Sequence, residues 1–86
     1  MQPKFEGHKT VRIAAGHESL KVGVKDYGGN ETTKDIRQLD GIAGRIRKQV
    51  VGASIEWQIP QWLYDIETDD GTTIRMVPER CLEAVI

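Results

Sequence analysis

His8, His17 and Cys81 are the chain's whole supply of imidazole and thiol groups, and the chemistry they suggest is zinc binding or thiolate attack. Structural zinc takes four such ligands in closely spaced pairs, whereas the two histidines lie nine residues apart and Cys81 stands alone. Cys81 becomes a nucleophile only if a histidine within hydrogen-bond reach lowers its pKa; otherwise it is a small core thiol. Asp65, Glu67, Asp69 and Asp70 form the one acidic cluster, and their spacing raises calcium. Counted from Asp65, an EF-hand loop needs glycine at its sixth position and glutamate at its twelfth, where this chain has Asp70 and Met76. Ser19 and Ser54 lack the G-x-S-x-G setting of a nucleophile elbow, and no glycine loop ending in Lys and Ser or Thr is present to cradle a phosphate. No catalytic set, metal or cofactor is therefore expected.

Residues suited to binding are better represented. Lys34, Arg37, Arg45, Arg47 and Lys48 are placed to contact phosphates, since backbone neutralisation supplies most non-specific affinity for nucleic acid. Against that reading stands the net charge of −1, where a nucleic-acid binder of this size shows a basic excess. The charge is uneven, with ten basic and six acidic residues in positions 1–50 but two and seven in positions 51–86. Trp57, Tyr27 and Arg75 are of the types that make protein-binding hot spots, and they are the candidate protein contacts.

The elements that must position these groups read as short strands. Val11 and Ile13 alternate with polar neighbours, as do Leu20, Val22 and Val24, so the two segments are expected to pair as a hairpin around "AAGHE". "ETTKDIRQLDG" admits one or two helical turns, with Thr32 and Asp35 spaced as a capping box, or an extended loop. In "GIAGRIRKQVV", Ile42, Ile46 and Val50 share one face while Arg45, Arg47 and Gln49 share the other. Gly44 falls on the inward side, where missing bulk permits a close crossing. "SIEWQI" reads as a further strand ended by Pro60. Trp62, Tyr64 and Ile66 share a face, as do Ile74 and Met76. Setting Ile66 opposite Ile74 leaves Asp69, Asp70 and Gly71 as a three-residue loop, with glycine where a left-handed residue belongs.

Eighty-six residues make a single domain over 1–86 with a small core, and the 38% hydrophobic and 29% charged fractions are those of an ordered protein. No apolar run approaches a bilayer's thickness and no secretion signal opens the chain, so a cytoplasmic location without membrane association is expected, in keeping with the single cysteine.

"GHKTVRIA", a long loop, "LDGIAGRI" and then "YDIETDDGTTIRMVPERCLEAV" together resemble the Src-homology-3-like (SH3-like) small barrels. The resemblance covers residues 7–15 and 40–86. It implies an all-β fold, a small barrel of five to seven short antiparallel strands with a long first loop and a short helical turn at Val77–Leu82 before the last strand. Peptide-binding members carry an acidic-aromatic first loop and a tyrosine after the proline turn; here residues 1–20 hold no such motif and Cys81 stands at the tyrosine's place. Asp40–Ile46 resembles the KOW-type element of RNA-binding barrels. "MVPERCLEAVI" is similar to the ending of type II dihydrofolate reductases, oligomeric barrels often carried on mobile gene cassettes, although their catalytic Val-Gln-Ile-Tyr segment is replaced by Thr73-Ile74-Arg75-Met76-Val77. "WLYDIE" resembles the barrel domain of nitrile hydratase β subunits and a small photosystem barrel subunit, both structural partners of larger proteins. The function expected first is a non-enzymatic module that binds another protein or a second copy of itself. Nucleic-acid binding through the five basic residues is the alternative, and a small-molecule site at an oligomer interface is the third.

Overall fold

A computed structural model of the chain describes residues 3–5, 7, 9–52 and 61–85. Seven antiparallel strands form one sheet: β1 (Thr10–Ile13), β2 (Lys21–Lys25), β3 (Glu31–Asp35), β4 (Ala43–Gly52), β5 (Gln61–Glu67), β6 (Thr73–Pro78) and β7 (Leu82–Ala84). Their spatial order is β3-β2-β6-β5-β4-β1-β7, with two 3-10 turns, Ile36–Leu39 and Glu79–Cys81, as the helical elements among the described residues. Among the described residues the sheet is not closed: β3 and β7 are separate edges. It nevertheless wraps one core, in which Val11, Ile13, Val22, Val24, Ile36, Leu39, Ile46, Tyr64, Ile66, Ile74, Val77, Cys81 and Leu82 meet, and Phe5 plugs one end against Tyr64.

The β5–β6 hairpin has the register its side chains demand. Ile66 stands opposite Ile74, Thr68 donates its amide to the Thr72 carbonyl at 2.8 Å, and Gly71 adopts φ +86, the left-handed conformation that the three-residue loop requires. Gly44 is equally committed. A Cβ there would lie 2.4 Å from Ile66 Cγ2 and 2.7 Å from the Glu67 carbonyl oxygen, so a side chain is excluded by the neighbouring strand itself. The close approach lets β4 serve two partners, β1 through Ala43–Arg45 and β5 through Arg45–Gly52.

Strict alternation fails at one level of the sheet. Between Ile46/Ile66 and Lys48/Asp65, β4 carries one residue more than β5; between Tyr64/Val77 and Ile66/Ile74, β6 likewise carries one more. Both bulges therefore face Asp65, and its Oδ1 accepts a hydrogen bond from the Met76 amide at 2.9 Å. Beyond the first bulge Gln49, not Val50, pairs with inward Tyr64. At the second, Met76 turns to φ 58 and stands 47% exposed while Val77 enters the core in its place. The inward placements expected of Val50 and Met76 are thereby corrected.

Two further expectations differ. β1 and β2 do not pair with one another: β1 lies between β4 and β7, and β2 between β3 and β6. The expected helical stretch is divided, with Glu31–Asp35 forming β3 and only Ile36–Leu39 turning. The capping box there belongs to Asp35 and Gln38 rather than to Thr32 and Asp35: Asp35 accepts the Arg37 amide at 2.9 Å, and Gln38 accepts the Asp35 amide at 3.2 Å. The strand expected over "SIEWQI", with Pro60, lies outside the described residues. No helix among the described residues is long and apolar enough to cross a membrane.

Candidate partner-binding site

Of the two edges among the described residues, that of β3 is the longer, five residues against three in β7. The β3 sequence, Glu-Thr-Thr-Lys-Asp, is rich in the β-branched residues that favour an extended chain but contains no large apolar side chain to bury. Glu31, Thr32, Thr33 and Lys34 are accordingly exposed, and only Asp35, at the strand's end, is partly covered. β2 pairs with the other edge over the full length, Lys21 opposite Asp35 through Lys25 opposite Glu31. Among the described residues, one row of backbone N–H and C=O groups is left without a strand partner, the arrangement that an extended segment of another chain can complete.

Two concavities flank this edge. On the convex side a groove of about 360 Å³ runs over Lys21, Gly23, Glu31, Thr33, Arg75 and Met76. Gly23 stands opposite both Arg75 and Thr33, so the groove's floor at that level is bare backbone. Arg75 donates to Glu31 at 3.0 Å across it. On the concave side a cavity of about 460 Å³ spans from Lys34 on β3 to Ala43 at the start of β4. Val24, Leu39, Ile42 and Ile74 give it an apolar floor, and Thr68, Asp69, Asp70 and Thr72 of the hairpin loop form its far rim. Asp70 is already engaged by the Thr68 hydroxyl and the Thr72 amide, which hold its carboxyl below the usual range.

The candidate protein contacts are distributed as follows. Tyr27, 87% exposed in the turn between β2 and β3, lies against Gly71, where a Cβ would fall 2.7 Å from its ring. It therefore stands beside the acidic rim. Arg75 lines the convex groove, and Trp57 lies outside the described residues. Met76 and Lys34 line these concavities too. Met76 escaped the sequence reading because its exposure follows from a bulge that alternation does not signal.

The five basic candidates do not form one surface. Lys34 lies on β3 facing the cavity, and Arg37 is bound to Asp35 at 3.2 Å. Arg45, Arg47 and Lys48 share β4, but Glu67 stands opposite Arg45 and lies 3.8 Å from Arg47, while Asp65 stands opposite Lys48. A pocket of about 310 Å³ beside Arg45 and Arg47 is also lined by Glu67 and Asp69.

Comparison with known proteins finds no matching family model, curated sequence or solved structure.

The groups with chemical potential elsewhere are held quiet. Cys81 and His17 line one pocket of about 300 Å³, yet the thiol is buried and burial pushes its pKa up, against the opposing charge of Arg80, which keeps the unreactive thiol form. His8 lies outside the described residues. No group of three or more His, Cys, Asp or Glu side chains among the described residues is placed to hold a metal ion. Tyr64 serves the fold: its hydroxyl donates to Glu79 Oε2 at 2.7 Å, the same oxygen accepts the Lys4 amide at 2.8 Å, and the Phe5 amide reaches the Tyr64 hydroxyl at 3.4 Å. Burial first, and the Glu79 carboxylate second, push the Tyr64 pKa up to about 12.

Proposed function

We propose that this domain is a non-enzymatic interaction module of the Src-homology-3-like kind that docks an extended segment of another protein along β3. The observation that carries the reading is the β3 edge itself, five residues long, exposed on both faces and flanked by two concavities. Support for the small-barrel likeness comes from the 3-10 turn at Glu79–Cys81 before the last strand and from β4, one long strand shared between two partners.

A second copy of the chain fits the edge poorly. Two β3 strands paired over their whole length about a two-fold axis at Thr33 set Glu31 against Asp35 twice, and like charges directly opposite destabilise a pair. A heterologous strand escapes that constraint. Nucleic acid gains less from the geometry, because Glu67, Asp65 and Asp69 interleave with the β4 cations.

The test is panning of a random-peptide phage library against the full-length chain, followed by amide chemical-shift mapping with the enriched peptide. Shifts centred on Glu31–Asp35 are expected. Failure to enrich any peptide, or shifts that leave β3 untouched, would refute the assignment.

A further inference from the structure

Lys34 pairs with Val22 across β2 and β3, and Val22 is buried, so the Lys34 side chain is on the concave side of the sheet and lines the 460 Å³ cavity. Asp69 lines the same cavity from the β5–β6 loop. Among the described residues neither the Lys34 ammonium nor the Asp69 carboxylate has an ion-pair or hydrogen-bond partner, in contrast to Asp70, Arg75, Arg37 and Glu31 nearby. Between these two unmatched charges the floor is apolar: Val24, Leu39 and Ile74 are nearly inaccessible, and Ile42 is an exposed aliphatic side chain at the cavity's edge.

The order of these features along β3 is fixed by the hairpins. Lys34 is at the end of β3 next to the 3-10 turn. At the opposite end, the turn holding Tyr27 leans on Gly71 and so meets the loop that carries Asp69. A chain laid along the β3 edge passes from a cation, over an apolar floor, to an anion. Side chains on one face of a strand recur every second residue, about 6.6–6.8 Å apart, so three successive inward positions meet these three surfaces in turn.

We propose that the cavity beside β3 selects its partner strand by charge and apolarity: an acidic side chain on Lys34, an apolar side chain over Val24, Leu39, Ile42 and Ile74, and a basic side chain between Asp69 and Tyr27, at alternate positions of one extended segment. The inference rests on the reading of β3 as the docking edge and adds the recognition pattern. The volume suits it, since a cavity of about 460 Å³ falls in the range of roughly 300–1,000 Å³ typical of ligand sites and holds more than one side chain. The free charges then act mainly on specificity, penalising partners of reversed polarity as well as rewarding the right one. Tyr27 supplies an aromatic surface beside the basic position.

The experiment compares the wild-type chain with the double variant Lys34→Glu, Asp69→Lys. Both positions are exposed, so the substitutions leave the core untouched, and circular dichroism and thermal melting confirm that the variant folds. The same random-peptide phage library is panned against each. The wild type is expected to enrich an acidic-x-apolar-x-basic motif in one chain direction, and the variant the same motif with its charges exchanged. The wild-type consensus peptide, measured by isothermal titration calorimetry, should bind the variant about tenfold more weakly. An identical consensus for both proteins, or one with no charges at the flanking positions, overturns the recognition pattern while β3 shifts would still uphold strand docking. No enrichment on either protein overturns both.

Discussion

Replacing Gly44 by alanine adds one methyl group where β4 passes closest to β5. Built on the existing backbone, that methyl carbon lies 2.4 Å from Ile66 Cγ2, 2.7 Å from the Glu67 carbonyl oxygen and 3.0 Å from the Glu67 carbonyl carbon. Carbon atoms in contact prefer about 3.5–4.0 Å, so the strands must part by several tenths of an ångström even after Ile66 changes rotamer. Overpacking of this kind costs about 1–3 kcal/mol, and the loss of glycine's freedom in the unfolded chain returns about 0.4–1 kcal/mol. A net destabilisation of about 1–2 kcal/mol follows, which for a domain of this size lowers Tm by roughly 4–16 °C. Urea denaturation of Gly44→Ala beside two controls measures it. At Gly7 an added Cβ meets no heavy atom within 4 Å, and at Gly52 it meets only the Leu63 side chain, with Cδ1 at 2.6 Å. Gly7→Ala should stay within about 0.5 kcal/mol of wild type, and Gly52→Ala should fall between the two. If Gly44→Ala is as stable as Gly7→Ala, the close crossing is wrong and so is the path assigned to β4.

Met76 adopts φ 58 with a half-exposed side chain, so Met76→Gly relieves a left-handed backbone that costs other residues about 1–2 kcal/mol; a net gain of about 0.5–1 kcal/mol in urea denaturation is expected, and a loss would show that the thioether's packing outweighs the strain. Tyr64→Phe removes the hydroxyl that ties Glu79 to the Phe5 amide and should cost about 1 kcal/mol at neutral pH. The folded Tyr64 holds its proton to about pH 12 against an ordinary 10.0, so its contribution is complete below pH 10 and fades as pH rises through 12. Denaturation curves between pH 9 and 12 should show that alkaline loss in the wild type and a smaller one in Tyr64→Phe.

What the chain reveals before folding depends on whether a residue's fate is decided locally. The β5–β6 hairpin was legible, because Ile66, Ile74 and Gly71 each admit one arrangement and the three agree. So was the inward position of Gly44. The fates of Met76, Gln49 and Val50 were not, since two bulges opposite Asp65 shift the alternation, and what holds one of them is a hydrogen bond between residues eleven apart in sequence. β3 was hidden for another reason. A strand with no apolar side chain has no period to detect, and Asp35, which ends it and caps the following turn, lends the whole stretch a helical look. Of the candidate contacts, Tyr27 and Arg75 border the proposed docking edge, whereas Lys34, read for phosphate, lines a cavity shared with Asp69.

The long strand β4 has a bearing on how the molecule comes apart. Because Ala43–Arg45 pair with β1 and Arg45–Gly52 with β5, no cut through the sheet separates an N-terminal unit from a C-terminal one without stripping this strand of a partner. The protein should therefore melt in a single cooperative step, and the amides around Gly44 and Ile46 should exchange with solvent only when everything opens at once. A protease or a chaperone would meet this chain whole or fully undone.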